Sequence, residues 1–376
     1  SYFVWRTSAF LRCGVNVRPD IDEILFNSIH GNSGDNKMNM EKLIIYSVKH
    51  NASDLHLCCG DVPRLRINGV LYQQNQCKPI TSDTLLKWIT PYLTTAQLQF
   101  FGKEGQVDTA ITLAEGQRLR VNLFRQQLGI SAVLRVINSQ LPTLTSLRVP
   151  KSITALLDNV SNGLILVTGA TGSGKSSTLA AMIDYLNQHK RQHILTLEAP
   201  IEFIYTNKQS IIQQREIGRD VQNIASAIKA ALRQDPDVIM LGELRDLESI
   251  KMALIAAETG HLVLATLHTQ GVVQTLERVT NVFSSNERQW ISAQLAGSLK
   301  AIISQQLVPA TQGGRVALFE VMYMTQGIAH LIREGKYHQV TTLMQTGFEY
   351  GMQTFTLSRQ QRQYEGLLNE HINEEN

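Results

Sequence analysis

Short continuous apolar runs separated by amphipathic stretches dominate the middle of the chain. Residues 164–168 and 193–197, with Val238–Leu241 and Leu262–Leu267, are such runs, each of strand length. Between them Val221, Ile224, Ala225, Ile228, Ala231 and Leu232 recur at helical spacing, as do Leu247, Ile250, Leu254 and Ala257. Apolar strands alternating with helices predict an α/β unit over residues 151–320, a parallel sheet covered by helices. The pattern before it is different. Leu43, Ile44 and Val48 suit one face of a helix, and residues 64–70 and 119–135 alternate as strands do, with Asn68-Gly69 as a turn. They predict a small α+β domain over 40–138. Residues 139–150 carry two prolines and read as a linker. Residues 321–376 are expected to be a C-terminal helical section with a polar end.

Residues 1–39 stand apart. They hold the polar stretch His30-Gly31-Asn32-Ser33-Gly34-Asp35-Asn36, and Met38 or Met40 suits a start codon. This segment is expected to be an extension outside the fold. The alternative is a short partner-binding or packing segment, because Tyr2, Phe3, Trp5 and Phe10 are sticky.

Composition narrows the class. A length of 376 residues suggests two to three domains at ~150 residues each. With 43% hydrophobic and 18% charged residues, wholesale disorder is excluded. No stretch approaches the ~18 apolar residues of a membrane span. A net charge of +3 is too small to imply nucleic acid by itself. The four cysteines (Cys13, Cys58, Cys59 and Cys77) make neither a disulfide framework nor a zinc pattern. They suit a reducing, cytoplasmic setting, with Cys58 and Cys59 as buried small residues.

The strongest chemical signal is Gly169-Ala170-Thr171-Gly172-Ser173-Gly174-Lys175-Ser176, which fits the phosphate-binding loop G-x-x-x-x-G-K-[ST]. Its glycines let backbone N–H groups turn inward around phosphate oxygens. Lys175 supplies charge near the β- and γ-phosphates, and the Ser176 hydroxyl can ligate Mg²⁺. Ser177 opens the helix expected over 177–186, whose positive end faces the anion. Nucleotide hydrolysis also needs carboxylates. The apolar run Val238–Leu241 ends in Gly242-Glu243, a Walker B pattern with Gly242 where Asp is usual. The segment Glu198-Ala199-Pro200-Ile201-Glu202 follows another strand, so both of its glutamates are candidates.

His261 and His268 bracket the run Leu262–Leu267 and suit γ-phosphate sensing or coupling between subunits; metal ligation is not expected. Arg118, Arg120, Arg125 and Arg135 crowd the end of the first domain, with Arg118 and Arg120 on one strand face. They suit phosphate-directed fingers, an RNA-binding surface or a solvated face.

Together these segments resemble the secretion and pilus motor ATPases, and among them the PilT-like type IV pilus retraction ATPases, over nearly all of 40–366. The resemblance rests on Ala52-Ser53-Asp54-Leu55-His56-Leu57, Arg66-Ile67-Asn68-Gly69, the phosphate loop, Thr196-Leu197-Glu198-Ala199-Pro200-Ile201-Glu202, Gly242-Glu243-Leu244-Arg245-Asp246 and the two histidines. Gln345-Thr346-Gly347 and Gly351-Met352-Gln353-Thr354 also fit. It implies a PAS-like N-terminal domain, a RecA-like core, a homohexamer, and ATP with Mg²⁺ between the two domains near a neighbouring subunit. It further implies that Glu202 activates the attacking water and that Glu243 acts around Mg²⁺. Arg120, Arg135 and Arg278 would be phosphate-side arginines. An inner-membrane pilus or secretion platform would receive the motion, alone or beside a second motor ATPase, with the protein peripheral to that membrane on the cytoplasmic side.

Three departures bear on retraction more than on ATP binding. Ala199 replaces the Asp of Glu-Asp-Pro, and Asn162 stands where Arg is frequent. The retraction-linked segment AIRNLIRE reads Gly327-Ile328-Ala329-His330-Leu331-Ile332-Arg333-Glu334, without its first Arg. No cysteine lies beyond Cys77, against the zinc-bearing assembly branch. The expected function is a hexameric ATPase driving pilus retraction. A low-activity ATP-binding accessory subunit is the alternative, and a nucleic-acid translocase is disfavoured by the balanced charge.

Overall fold

A computed structural model describes residues 39–67, 69–75, 77–113, 116–137 and 140–369. The expectations for residues 1–38, for Asn68 and for the chain beyond 369 lie outside the described residues.

Helix α1 (Met40–Lys49) starts where its apolar spacing does, with the Asn39 side chain accepting from the Lys42 amide. It is followed by β1 (Asp54–Cys58), β2 (Arg64–Ile67), β3 (Val70–Gln73), α2 (Ser82–Ile89), α3 (Thr95–Glu104), β4 (Gln106–Thr112), β5 (Arg118–Gln126) and β6 (Gly129–Ile137). The strands form one antiparallel sheet in the order β3-β2-β1-β6-β5-β4. Period-two alternation sends Leu119, Val121 and Leu123 into a core shared with Leu55, Leu57 and Leu134. Arg118 and Arg120 therefore take the opposite face, where Arg120 pairs in register with Arg135.

The second unit runs through α4 (Lys151–Asn159), β7 (Gly163–Thr168), α5 (Lys175–His189), β8 (His193–Glu198), β9 (Ile211–Glu216), α6 (Ile224–Ala231), β10 (Val238–Leu241), α7 (Leu247–Glu258), β11 (Leu262–Leu267), α8 (Val272–Asn281), α9 (Ser285–Ser298), β12 (Leu299–Pro309) and β13 (Arg315–Tyr323). Helices α10 (Gln326–Arg333), α11 (Val340–Thr346) and α12 (Phe355–Tyr364) follow. Its sheet has the order β13-β12-β7-β11-β10-β8-β9, parallel throughout except for β13 at one edge. Both faces are covered. Leu164, Leu166, Ile239 and Leu241 pack under α6 to α11, and Ile165, Val167, Val238 and Met240 pack under α4 and α5. Two buried faces are why these strands read as continuous apolar runs.

The structure differs from the expectations in several places. The end of the core carries a strand pair that was not among the expected strands, β12 with β13 over Ala301 to Pro309. Ser304, Gln305 and Gln306 interrupt β12, so no apolar run advertised it. The expected division between 320 and 321 falls inside β13. Residues 140–150 also lie against the large sheet, with Leu144 and Val149 buried in its core. Cys58 and Cys59 are half-buried, not buried.

Candidate functional site

The parallel strands β7, β8, β10 and β11 all end on one edge of the sheet, where ligand crevices form. The loops that leave this edge carry the phosphate loop, Glu198 to Glu202, Glu243 and His268.

The phosphate loop is tied down at its glycines. Gly169, Gly172 and Gly174 have φ of 146°, 79° and 92°, a region that disfavours side chains. A Cβ on Gly169 would run into the Gln305 carbonyl oxygen, and one on Gly174 would lie 2.7 Å from Gln305 Nε2. Gln305 is fixed in turn by Thr178 Oγ1, which donates to its Oε1 at 2.6 Å. Gly174 caps α5 without any side-chain hydrogen bond. The first-turn amides of α5 thus keep their donors for an anion. Within the loop, Ser173 Oγ is buried and has no hydrogen-bond partner among the described residues. Lys175 is 7% exposed. Its ammonium donates to the carbonyls of Gly169 at 2.8 Å and Ala170 at 2.9 Å. Burial lowers its pKa, and the charges of Glu243 and Glu202 oppose that shift. Ser176 is exposed and Ser177 half-buried. Open amides, a buried ammonium and glycines that admit close approach fit a polyphosphate.

Glu243 leaves β10 beside this loop. Its Oε1 lies 3.0 Å from His268 Nε2, and its Oε2 accepts from Arg245 Nε at 2.8 Å. His268 Nδ1 lies 3.4 Å from Lys175 Nζ and 3.3 Å from Thr171 Oγ1. Phosphate loop, Walker B acid and histidine thus form one network. Gly242 has a packing reason: a Cβ there would meet Glu198 Cα at 3.3 Å and the Leu197 oxygen at 3.4 Å. No cluster of three or more Asp, Glu, His or Cys ligands exists among the described residues. Ser176 and Glu243 fit Mg²⁺ as a hydroxyl and a carboxylate, a set that must be completed by phosphate and water oxygens.

Glu198, the last residue of β8, and Glu202, in the loop after it, part company. Glu198 is 7% exposed and accepts from Thr196 Oγ1 at 2.7 Å and Gln214 Nε2 at 3.3 Å. Burial pushes its carboxyl up to about 7. It faces inward and supports the loop. Glu202 is half-buried and within electrostatic reach of Lys175. Its carbonyl, and that of Ile201, are held from the other domain: Arg118 Nη1 donates to Glu202 O and Nη2 to Ile201 O, both at 2.7 Å.

The remaining candidates scatter. Arg120 makes no hydrogen bond or ion pair among the described residues. Arg135 pairs with Asp54 at 2.8 Å, its side chain 60% exposed. Burial acts to raise the Asp54 pKa, but hydrogen bonds from Ser53 and Arg135 outweigh it and lower it. Arg278 is exposed in the last turn of α8, without a partner among the described residues. His261 requires a correction. It precedes β11, at the opposite edge of the sheet from His268, with its Nδ1 3.0 Å from the Ala256 carbonyl oxygen. The six residues of β11 separate the two histidines by ~20 Å. Bracketing a strand placed them at opposite ends of it, so His261 does not join the phosphate loop.

Gln305 and Thr178 are site residues that sequence reasoning did not single out, and Arg118, one of the four clustered arginines, turns to main-chain oxygens of the Glu202 loop. A polar Gln305 inside β12 was the available signal for one of them.

Comparison with known proteins gives the chain its family. The family model described as "Type II/IV secretion system protein" matches residues 36–366. An uncharacterized Escherichia coli protein, YggR, is 52% identical over 88% of this chain and 100% of its own length. The type IV pilus retraction ATPase PilT of Pseudomonas aeruginosa is 42% identical over 88% of this chain and 96% of its own. A crystal structure of the pilus retraction motor PilT with bound ADP superposes with a TM-score of 0.80 at 39% identity, covering 89% of this chain and 95% of that one. The Legionella pneumophila ATPase DotB gives a TM-score of 0.77 at 29% identity, covering 90% and 95%. The chain belongs to the type II/IV secretion system protein family, and it is an ATPase.

Proposed function

We propose that this member of the type II/IV secretion system protein family works as a homohexameric motor. It would couple Mg-ATP hydrolysis to rotation of its N-terminal domain against its ATPase core and so drive pilus retraction. The carrying observation is the single network that joins Lys175, His268 and Glu243 beside the loop of Glu202. In this reading the loop amides, Lys175 and Ser177 bind phosphate, and Ser176 with Glu243 would hold Mg²⁺, which supplies charge neutralisation at the phosphates. Glu202 orients and deprotonates water. Arg120, unpartnered among the described residues, and Arg135 with Arg278 would serve phosphates in the assembled ring. The receiving partner would be an inner-membrane pilus or secretion platform, with the motor on its cytoplasmic side, and no nucleic acid is involved. No helix among the described residues is long and apolar enough to cross a membrane, in keeping with attachment through partners.

The test is ATP turnover by the purified chain, measured against oligomeric state. Lys175→Ala should abolish nucleotide binding, whereas Glu202→Ala and Glu243→Ala should bind ATP and lose turnover. Unchanged hydrolysis in all three variants would sink the proposal.

A second reading is an ATP-binding accessory subunit of a pilus or type II secretion-like machine, with little turnover of its own. Two positions favour it. Ala199 removes a carboxylate from the site, and the first Arg of the retraction-linked segment is replaced by Ala329, which is buried on α10. Tight ATP binding with negligible turnover by the intact hexamer would establish this reading, and vigorous turnover would eliminate it.

A further inference from the structure

Arg118 lies on the sheet face that its alternation predicts, yet it is only 9% exposed. Arginines are seldom buried without a partner. This one makes no direct ion pair among the described residues. Its guanidinium instead spends two N–H groups on consecutive main-chain oxygens, those of Ile201 and Glu202, at 2.7 Å each. Donor and acceptors belong to different domains, since Arg118 opens β5 of the antiparallel sheet and the two carbonyls follow β8 of the parallel sheet. Glu216, Glu198 and Glu202 surround the guanidinium and favour its charge against the burial. Glu216 also accepts from the Ile201 amide at 3.1 Å, so both backbone polar groups of Ile201 are held.

We propose that Arg118 is a positioning residue that makes hydrolysis depend on domain orientation, by clasping the backbone of Glu202 to the N-terminal domain. The inference rests on the role given above to Glu202. Two parallel N–H···O bonds from a planar fork fix direction as well as distance. They act on the main chain of the residue whose carboxylate must meet the attacking water. Arg120 lies two residues further along the same strand. One rigid element therefore sets the Glu202 loop and carries an arginine on the same face. Rotation of the N-terminal domain away from the core breaks both bonds together. The loop is then released, and hydrolysis stops until the domains close again.

The experiment uses the full-length hexamer and a kinetic cycle of Arg118→Gln, Arg118→Lys, Glu202→Gln and the Arg118→Gln/Glu202→Gln double variant. Light scattering and thermal midpoints establish assembly for each. Arg118→Gln should lower kcat by about 10- to 100-fold, the scale of a small misplacement of a catalytic group. KM, and the Kd of a fluorescent ATP analogue, should stay within about twofold, because the phosphate loop is untouched. Arg118→Lys keeps a charged donor and should recover part of kcat. The double variant should turn over no more slowly than Glu202→Gln alone, since Arg118 acts only through Glu202. Wild-type kcat in Arg118→Gln, a loss confined to KM, or a double variant showing the product of both losses would overturn the clasp. If Arg118→Gln does not assemble, Arg118→Lys takes its place in the cycle, and wild-type kcat there overturns the clasp equally. Full turnover in Glu202→Gln would instead overturn the role of Glu202, which separates the two failures.

Discussion

Glu198→Gln tests the electrostatics behind the site. Glu198 is almost fully buried, and burial pushes its carboxyl from 4.5 up to about 7. The charge of Glu202 raises it further, while hydrogen bonds from Thr196, Gln214 and the Glu202 backbone oppose the shift. Between those two pH values the folded chain keeps a proton that the unfolded chain has lost. Stability therefore falls as pH rises through the window and levels off above it. The cost of the buried charge is below about 1 kcal/mol at pH 5 and about 3 kcal/mol at pH 8. A glutamine keeps a carbonyl acceptor and puts an NH₂ donor group where the protonated acid has its O–H, but it does not ionise. The variant should thus unfold with the wild type at pH 5. At pH 8 its midpoint should lie higher by roughly 6–12 °C, at about 2–4 °C per kcal/mol for a unit of this size. Thermal unfolding of both proteins from pH 5 to pH 8 reads this directly. A gap that is constant across pH, or that narrows as pH rises, would refute the reasoning.

Two packing predictions accompany it. Gly174→Ala should destabilise the chain by about 1–2 kcal/mol from its left-handed backbone alone, and more from contact with Gln305 Nε2 at 2.7 Å; loss of ATP-dependent thermal stabilisation is the measurement, and retained stabilisation would contradict the cradle. Gly242→Ala should cost roughly 1–3 kcal/mol in denaturant titrations, because its new methyl would press on the Glu198 backbone at 3.3 Å; a neutral result would show that the Walker B turn has room for the more usual side chain.

The site has a consistent division of labour. One glutamate of the β8 loop faces inward and carries a raised pKa, while the other lies half-exposed within reach of Lys175. Their difference is one of solvent, not of residue type. Gly242 shows the same logic in packing terms, since β8 and β10 approach so closely that an aspartate would need the backbone to yield.

Local chemistry made the phosphate loop, the Walker B strand end and the core strands legible. Their information is contiguous: a glycine pattern, a charge after an apolar run, a six-residue stretch buried on both faces. Val238–Leu241 and Leu262–Leu267 are found in the structure at their expected bounds for that reason. The strand pair β12–β13 was not legible, because Ser304 and Gln305 are polar groups placed for tertiary partners such as Gly271 N, Thr178 and the phosphate loop. His261 and His268 illustrate a second limit. Sequence spacing measures distance along a strand, and a strand carries its two ends to opposite edges of a sheet. The choice between Glu198 and Glu202, and the burial of Arg118 across a domain boundary, depend on which groups share a crevice. What the sequence determined by itself was the chemistry available to this protein. Which carboxylate lies half-exposed within reach of Lys175, and which arginine holds its loop, were decided only when parallel strands brought distant loops to one edge and a second domain closed against them.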